Sequence, residues 1–155
     1  DWAGAGNAGT QPCNWEVFRQ EIHELTNQGY MVIATLQYFE TYVSTPSSQQ
    51  IADFRSLSEA GAVIVSGSQA HFPQGFDFVD GRFIHYGLGN LFFDQMDYPV
   101  VGTRREFLDR HVFYDGKHIS TELLTAMLEN YARPRPMNDE ERRNFLNEMF
   151  LASGW

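Results

Sequence analysis

The feature that most constrains this chain lies between residues 30 and 66, where two nearly uninterrupted apolar runs flank an amphipathic helix. Tyr30 to Leu36 and Ala62 to Ser66 are each of strand length, and continuous apolarity reads as a strand covered on both faces. Between them Thr45 is placed to cap a helix with Pro46 at its first position. Ile51, Phe54 and Leu57 share one face of that helix, and Gly61 follows its end. Strand, helix, strand is a right-handed crossover, so the two strands run parallel, whether or not they are neighbours. Parallel strands end on a common edge, and open α/β sheets bind ligands outside that edge. Gln37 to Glu40 and Gly67 to His71 are therefore expected to face one crevice.

The flanking segments fit one α/β domain. Residues 1–13 are rich in Gly and Ala without periodicity and read as a loop or frayed end, which leaves residues 14–155 as the folded part. Asn14 is an N-cap with Glu16 in the first turn, and Trp15, Phe18, Ile22 and Leu25 recur at helical spacing before Gly29. Downstream, Asp80-Gly81 joins Phe76–Val79 to Phe83–Tyr86, and Asp115-Gly116 joins Phe107–Tyr114 to a run from Ile119. Both pairs read as antiparallel hairpins. Thr121 to Tyr131 reads mainly as strand because a hairpin turn feeds it. Pro134 and Pro136 break the chain before a last helix, in which Asn138 and Glu141 form a capping box and Phe145, Leu146, Met149 and Phe150 share a face.

Charge narrows the partners. With 11 Lys and Arg against 20 Asp and Glu the formal net charge is −9, which excludes a nucleic-acid or anionic-membrane surface, since phosphate binding needs clustered cations. The single cysteine, Cys13, excludes an internal disulfide and a cysteine metal pair. No signal peptide or membrane span is visible, and the start at Asp1 without an initiating Met implies an upstream part that was processed or is missing.

The residues able to carry chemistry sit at the strand ends. His71 follows a buried strand and a glycine turn, where imidazole serves as metal ligand or proton shuttle and Gly67 lets the backbone approach a ligand. A hydrogen-bonded loop histidine is the plain alternative. Glu40, leaving the other strand, is a candidate ligand or general base, with a solvated loop carboxylate as its alternative. The run Ile84 to Gln95 opens a third strand into a glycine turn with Asn90, Asp94 and Gln95, where a structural turn is the simpler reading. His23, His85, His111 and His118 are assigned to no site.

Three segments together resemble the carboxy-terminal part of the bacterial capsule-synthesis CapA family, the poly-γ-glutamate biosynthesis proteins. They are Ser47-Ser48-Gln49-Gln50, Glu59 through His71, and Ile84-His85-Tyr86-Gly87-Leu88-Gly89-Asn90-Leu91-Phe92-Phe93-Asp94. The resemblance implies a fold similar to the calcineurin-like metallophosphatases, a layered α/β/β/α sandwich with a metal-type site at the strand ends. It also implies an upstream half that supplies an Asp, a Glu and an Asn-Asn-His motif. Two motif positions depart from the family. Its H-W-G-x-E-Y pattern reads Gln37-Tyr38-Phe39-Glu40-Thr41-Tyr42 here, with the acid one residue early, and its G-H-x-H reads Gly67-Ser68-Gln69-Ala70-His71.

On this resemblance His71 and Glu40 are the metal and catalytic candidates, and Gln37, Gln69 and Asn90 line the substrate side. Neutral amides are poor zinc or iron ligands, so a divalent Mn, Mg or Ca ion is favoured over Zn or Fe. The implied roles are a metal-dependent hydrolase of phosphoesters or amides, or a non-catalytic module that binds polymer or assembles an export machine. The implied partners are an anionic polymer or small phosphoester or amide substrate and the capsule-synthesis machinery. The implied location is extracellular or at the cell surface. Because both strand faces need cover that three helices hardly supply, the chain is expected to be an incomplete folding unit.

Overall fold

The computed structural model describes residues 3–9, 13–131 and 133–155. Of the expected loop over residues 1–13, the described residues belong to no helix or named strand, and the remainder lies outside the described residues. The architecture is α/β: helix α1 (Trp15–Asn27), strand β1 (Ile33–Thr41), helix α2 (Ser48–Ala60) and strand β2 (Ile64–Ala70) come first. Strands β3 (Phe76–Val79), β4 (Arg82–His85), β5 (Arg105–Tyr114), β6 (Lys117–Glu129) and β7 (Arg133–Pro136) follow, and helix α3 (Asp139–Ala152) ends the order.

Local chemistry sets these boundaries. The Asn14 side chain accepts from the N–H groups of Glu16 and Val17, and Asn138 and Glu141 close a reciprocal capping box at α3. Helix α2 is capped by Ser47, whose hydroxyl accepts from Gln50 N–H at 3.1 Å, so Thr45 and Pro46 lie before the cap rather than in the helix. The pattern Ser47-x-x-Gln50 carried that signal, but Gln50 turns into the core instead. Its amide donates to Gln74 Oε1 and to the Tyr86 carbonyl, both at 2.9 Å.

The first sheet has the order β1-β2-β4-β3, with β1 parallel to β2 and β2 parallel to β4. The downstream hairpin β3–β4 is antiparallel within itself, as its Asp80-Gly81 turn requires, yet it places β4 as a third parallel strand. The second sheet, β5-β6-β7, is antiparallel throughout, and Thr121 to Glu129 is strand as expected. Pro134 and Pro136 do not break the chain there: they sit in β7, an edge strand, where a missing N–H facing solvent costs no ladder bond.

Two apolar clusters hold these layers. Ile22 of α1 and Phe54 and Leu57 of α2 pack on Ala34, Leu36, Val65 and Ile84, covering one face of the first sheet. On its other face Ile64 and Phe83 meet Phe107 of the second sheet and Phe145 and Met149 of α3. Each fully buried Phe or Leu contributes about 1.5–3 kcal/mol of transfer free energy.

That second cluster takes no residue from β1, which is why the expectation of a strand covered on both faces fails there. Ala34 and Leu36 are buried, whereas Ile33 is 48% and Phe39 74% exposed, with Tyr30, Met31 and Val43 also in water. An apolar face of this kind on a sheet edge favours association. We expect the 155-residue chain to bind a hydrophobic dye and to scatter light as a concentration-dependent oligomer. Replacing Ile33 and Phe39 together by Thr and Ser should reduce both signals; a dye-silent monomer would show that water tolerates this face.

Candidate functional site

Strand β1 runs to Thr41 and β2 to Ala70, so Gln37, Glu40 and Gln69 lie within the strands and not in loops after them. Their carboxyl ends share one sheet edge. Between the pairs Gln37 with Ser68 and Thr41 with Ala70, β1 advances four residues while β2 advances two, which makes a bulge over 38–40. After the bulge Thr41 pairs with Ala70, and His71 N–H donates to the Thr41 carbonyl at 3.0 Å.

His71 is held from three sides. Its Nδ1 lies 2.7 Å from Asn90 Oδ1. The Asn90 amide nitrogen donates to the Thr103 carbonyl and to Gln95 Oε1, each at 3.1 Å, and a backbone carbonyl can only accept. That fixes Oδ1 toward the imidazole, so Nδ1 carries the proton and donates, leaving Nε2 turned toward Glu40 Oε1 at 3.6 Å. The Tyr42 ring stacks on the imidazole with centroids 5.4 Å apart, and Phe93 lies at 5.1 Å.

A chain of hydrogen bonds runs from this histidine to Glu40. Gln95 Nε2 donates to Tyr42 Oη at 3.1 Å, and Tyr42 donates to Glu40 Oε1 at 2.8 Å. The bond to the Glu40 carboxylate is the main cause that holds the Tyr42 phenol above its ordinary pKa. His71, Asn90, Gln95, Tyr42 and Glu40 thus form one chain whose two ends face each other at 3.6 Å, with Asn90 buried and Glu40 about half exposed. Neither Tyr42 nor Gln95 is among the residues that the sequence assigns to the site. The acid two residues before a Tyr and the Asp94-Gln95 step after the glycine turn were the available signals.

Gln37 and Gln69 meet each other instead, Gln37 Nε2 donating to Gln69 Oε1 at 2.6 Å. Together with Glu40 they line an open groove of about 990 Å³ along β1, whose other walls include Trp15, Phe18 and Phe39. Gly67 does not admit a ligand: a Cβ there would fall 2.1 Å from the Tyr86 carbonyl oxygen, so glycine is required for β2 to pass β4. His85 is fully buried against Asp109, and His111 and His118 share the Thr121 hydroxyl. Among the described residues no group of three or more His, Cys, Asp or Glu is placed to hold a metal ion.

Residues 3–95 match the family model described as bacterial capsule synthesis protein PGA_cap. The chain belongs to the PGA_cap family. It is 31% identical over 87 residues to the PGA biosynthesis protein CapA of Bacillus subtilis (strain 168), covering 56% of this chain and 23% of that protein. It is 37% identical over 65 residues to the capsule biosynthesis protein CapA of Bacillus anthracis, covering 42% of this chain and 16% of that protein. The chain therefore spans less than a quarter of the length of these relatives. The PGA_cap match takes in the whole first sheet and the turn as far as Gln95, hence every residue of the hydrogen-bond chain, whereas β5 to β7 and α3 lie beyond it.

Proposed function

We propose that this PGA_cap member acts in the metabolism of a polyanionic capsule polymer at the cell surface, and that His71 and Glu40 are two ligands of a divalent-metal hydrolytic site. The observation that carries this reading is the orientation of His71. Donation from Nδ1 to Asn90 fixes the tautomer that leaves Nε2 free for a ligand, and an outer partner of this kind tunes metal-binding imidazoles. Tyr42 holds the Glu40 carboxylate at the same place. Two donors fit a metal only as part of its coordination, and the further donors are those that the resemblance places upstream. The oxygen donor and neighbouring amides suit Mn, Mg or Ca better than Zn or Fe. A divalent ion held there would act as a Lewis acid on a phosphoester or amide. It would also neutralise an anionic polymer approaching a chain of net charge −9.

The paired amides favour a second reading, in which Gln37 and Gln69 mark a site that binds polymer or an assembly partner of the capsule machinery without turnover. Metal content and hydrolysis of a phosphoester and an amide substrate by the full-length protein decide between them. The hydrolase reading expects Mn- or Mg-dependent turnover that falls at least about 100-fold in His71→Ala and about 10–100-fold in Asn90→Ala. Polymer binding without metal or turnover in the wild-type protein would establish the second reading. Stoichiometric zinc that is lost in His71→Ala would overturn the metal preference.

A further inference from the structure

We infer that Glu106 is a pH-responsive latch on the loop that carries Asn90, holding the loop closed at low pH and releasing it as pH rises. Glu106 is fully buried, and neither carboxylate oxygen has a hydrogen-bond partner among the described residues. Its backbone bridges Gly89, and Phe107 N–H donates to the Leu88 carbonyl at 2.8 Å. The segment from Asn90 to Arg105 therefore leaves and returns at one point, and Glu106 sits at that closure. The approach is tight: a Cβ on Gly89 would lie 2.5 Å from the Arg105 carbonyl oxygen.

Among the described residues no charge is placed to compensate an ionised Glu106. In β5, Arg105 is paired with Glu148 and lies over Phe72 and Phe145. From the loop, Arg104 is engaged by the Leu128 carbonyl and Asp97. In β6 the cross-strand partner is Ala126, Leu128 is buried, and Glu129 is held by Arg133 and Arg135. From Tyr86 to Asn90 the titratable side chain is Tyr86, which is directed to Asp77. Burial accordingly pushes the Glu106 carboxyl up to about 7, and burial alone is the cause.

The direction of the effect follows. In the open loop the solvated carboxyl ionises near its ordinary 4.5, whereas in the closed loop it stays neutral to about 7. Between these values each pH unit favours opening by about tenfold, and above about 7 both forms are ionised and the effect is constant. The closed loop is thus most favoured below pH 4.5, and opening withdraws Asn90 from His71.

Amide hydrogen exchange on the full-length protein without added metal tests this independently of the hydrolase reading. After correction for intrinsic exchange, the protection of Phe107 and Leu128 should fall by a hundredfold or more between pH 5 and pH 7.5, relative to Val63 and Phe83 in the first sheet. Glu106→Gln should make their protection independent of pH and greater than wild type at pH 7.5. Equal pH dependence at all four amides, or a Glu106→Gln protein that keeps the wild-type profile, would overturn the proposal. A carboxyl-carbon NMR titration of wild-type Glu106 needs no variant: an inflection near 7 supports the latch, and one near 4.5 refutes it.

Discussion

Gly67→Ala is expected to destabilise the domain by about 3 kcal/mol or more, a large part of the roughly 5–15 kcal/mol that holds a domain folded. The added methyl would fall 2.1 Å from the Tyr86 carbonyl oxygen and 2.9 Å from Phe54 Cε2. Neither neighbour can give way cheaply. Tyr86 O accepts from the buried Gln50 amide, and Phe54 is completely buried between Tyr38 and Tyr86, with ring centroids at 5.4 and 5.5 Å. Relief requires β2 to move from β4, which disturbs the strand that ends next to His71. Denaturant unfolding of Gly67→Ala should show a lower midpoint, while Gly6→Ala, whose added methyl meets nothing within 4 Å, should be indistinguishable from wild type. An unchanged midpoint with lost ligand binding would instead give Gly67 the role of admitting a ligand.

Features governed by nearest neighbours were legible in the sequence. Asp80-Gly81 and Asp115-Gly116 adopt positive φ at both residues, 50° and 77° in the first and 46° and 69° in the second, as a two-residue hairpin turn demands. The Asn138–Glu141 box and the Asn14 cap follow the same local logic. So does the parallel crossover, which fixed that Glu40 and His71 would end on one edge. What failed needed information from across the fold. Apolarity of Tyr30 to Leu36 cannot tell a central strand from an edge strand, and β1 is the edge. Pro134 and Pro136 read as a break because nothing local shows that their strand has one open side. The relay through Tyr42 and Gln95 spans 53 residues, and the acid near each in sequence does not show that the two side chains meet. Gly67 pointed to a ligand when its real neighbour was the Tyr86 backbone just past β4, almost twenty residues on.

His85 was likewise unassigned, and its partner gives the other large expected effect. The imidazole lies fully buried between the sheets, Nδ1 2.7 Å from Asp109 Oδ2, with the rings of Phe76, Phe83 and Phe107 at 5.9, 5.9 and 4.8 Å. Nε2 of His85 and Oδ1 of Asp109 have no partner among the described residues, so each group depends on the other for its polar contact. Removing one leaves the other buried without compensation. Asp109→Ala and His85→Leu should therefore each cost about 3–5 kcal/mol. An apolar pair of similar total volume, His85→Leu with Asp109→Ala, removes both desolvation penalties together and should come within about 1–2 kcal/mol of wild type, or exceed it. Chemical denaturation of wild type, the two single variants and the double yields the coupling energy directly, and strong non-additivity is the expected sign of a mutually dependent pair. Additive losses, with the double variant as weak as the sum of the singles, would mean that His85 and Asp109 act only as packing volume. The two sheets would then be held by the phenylalanine contacts alone.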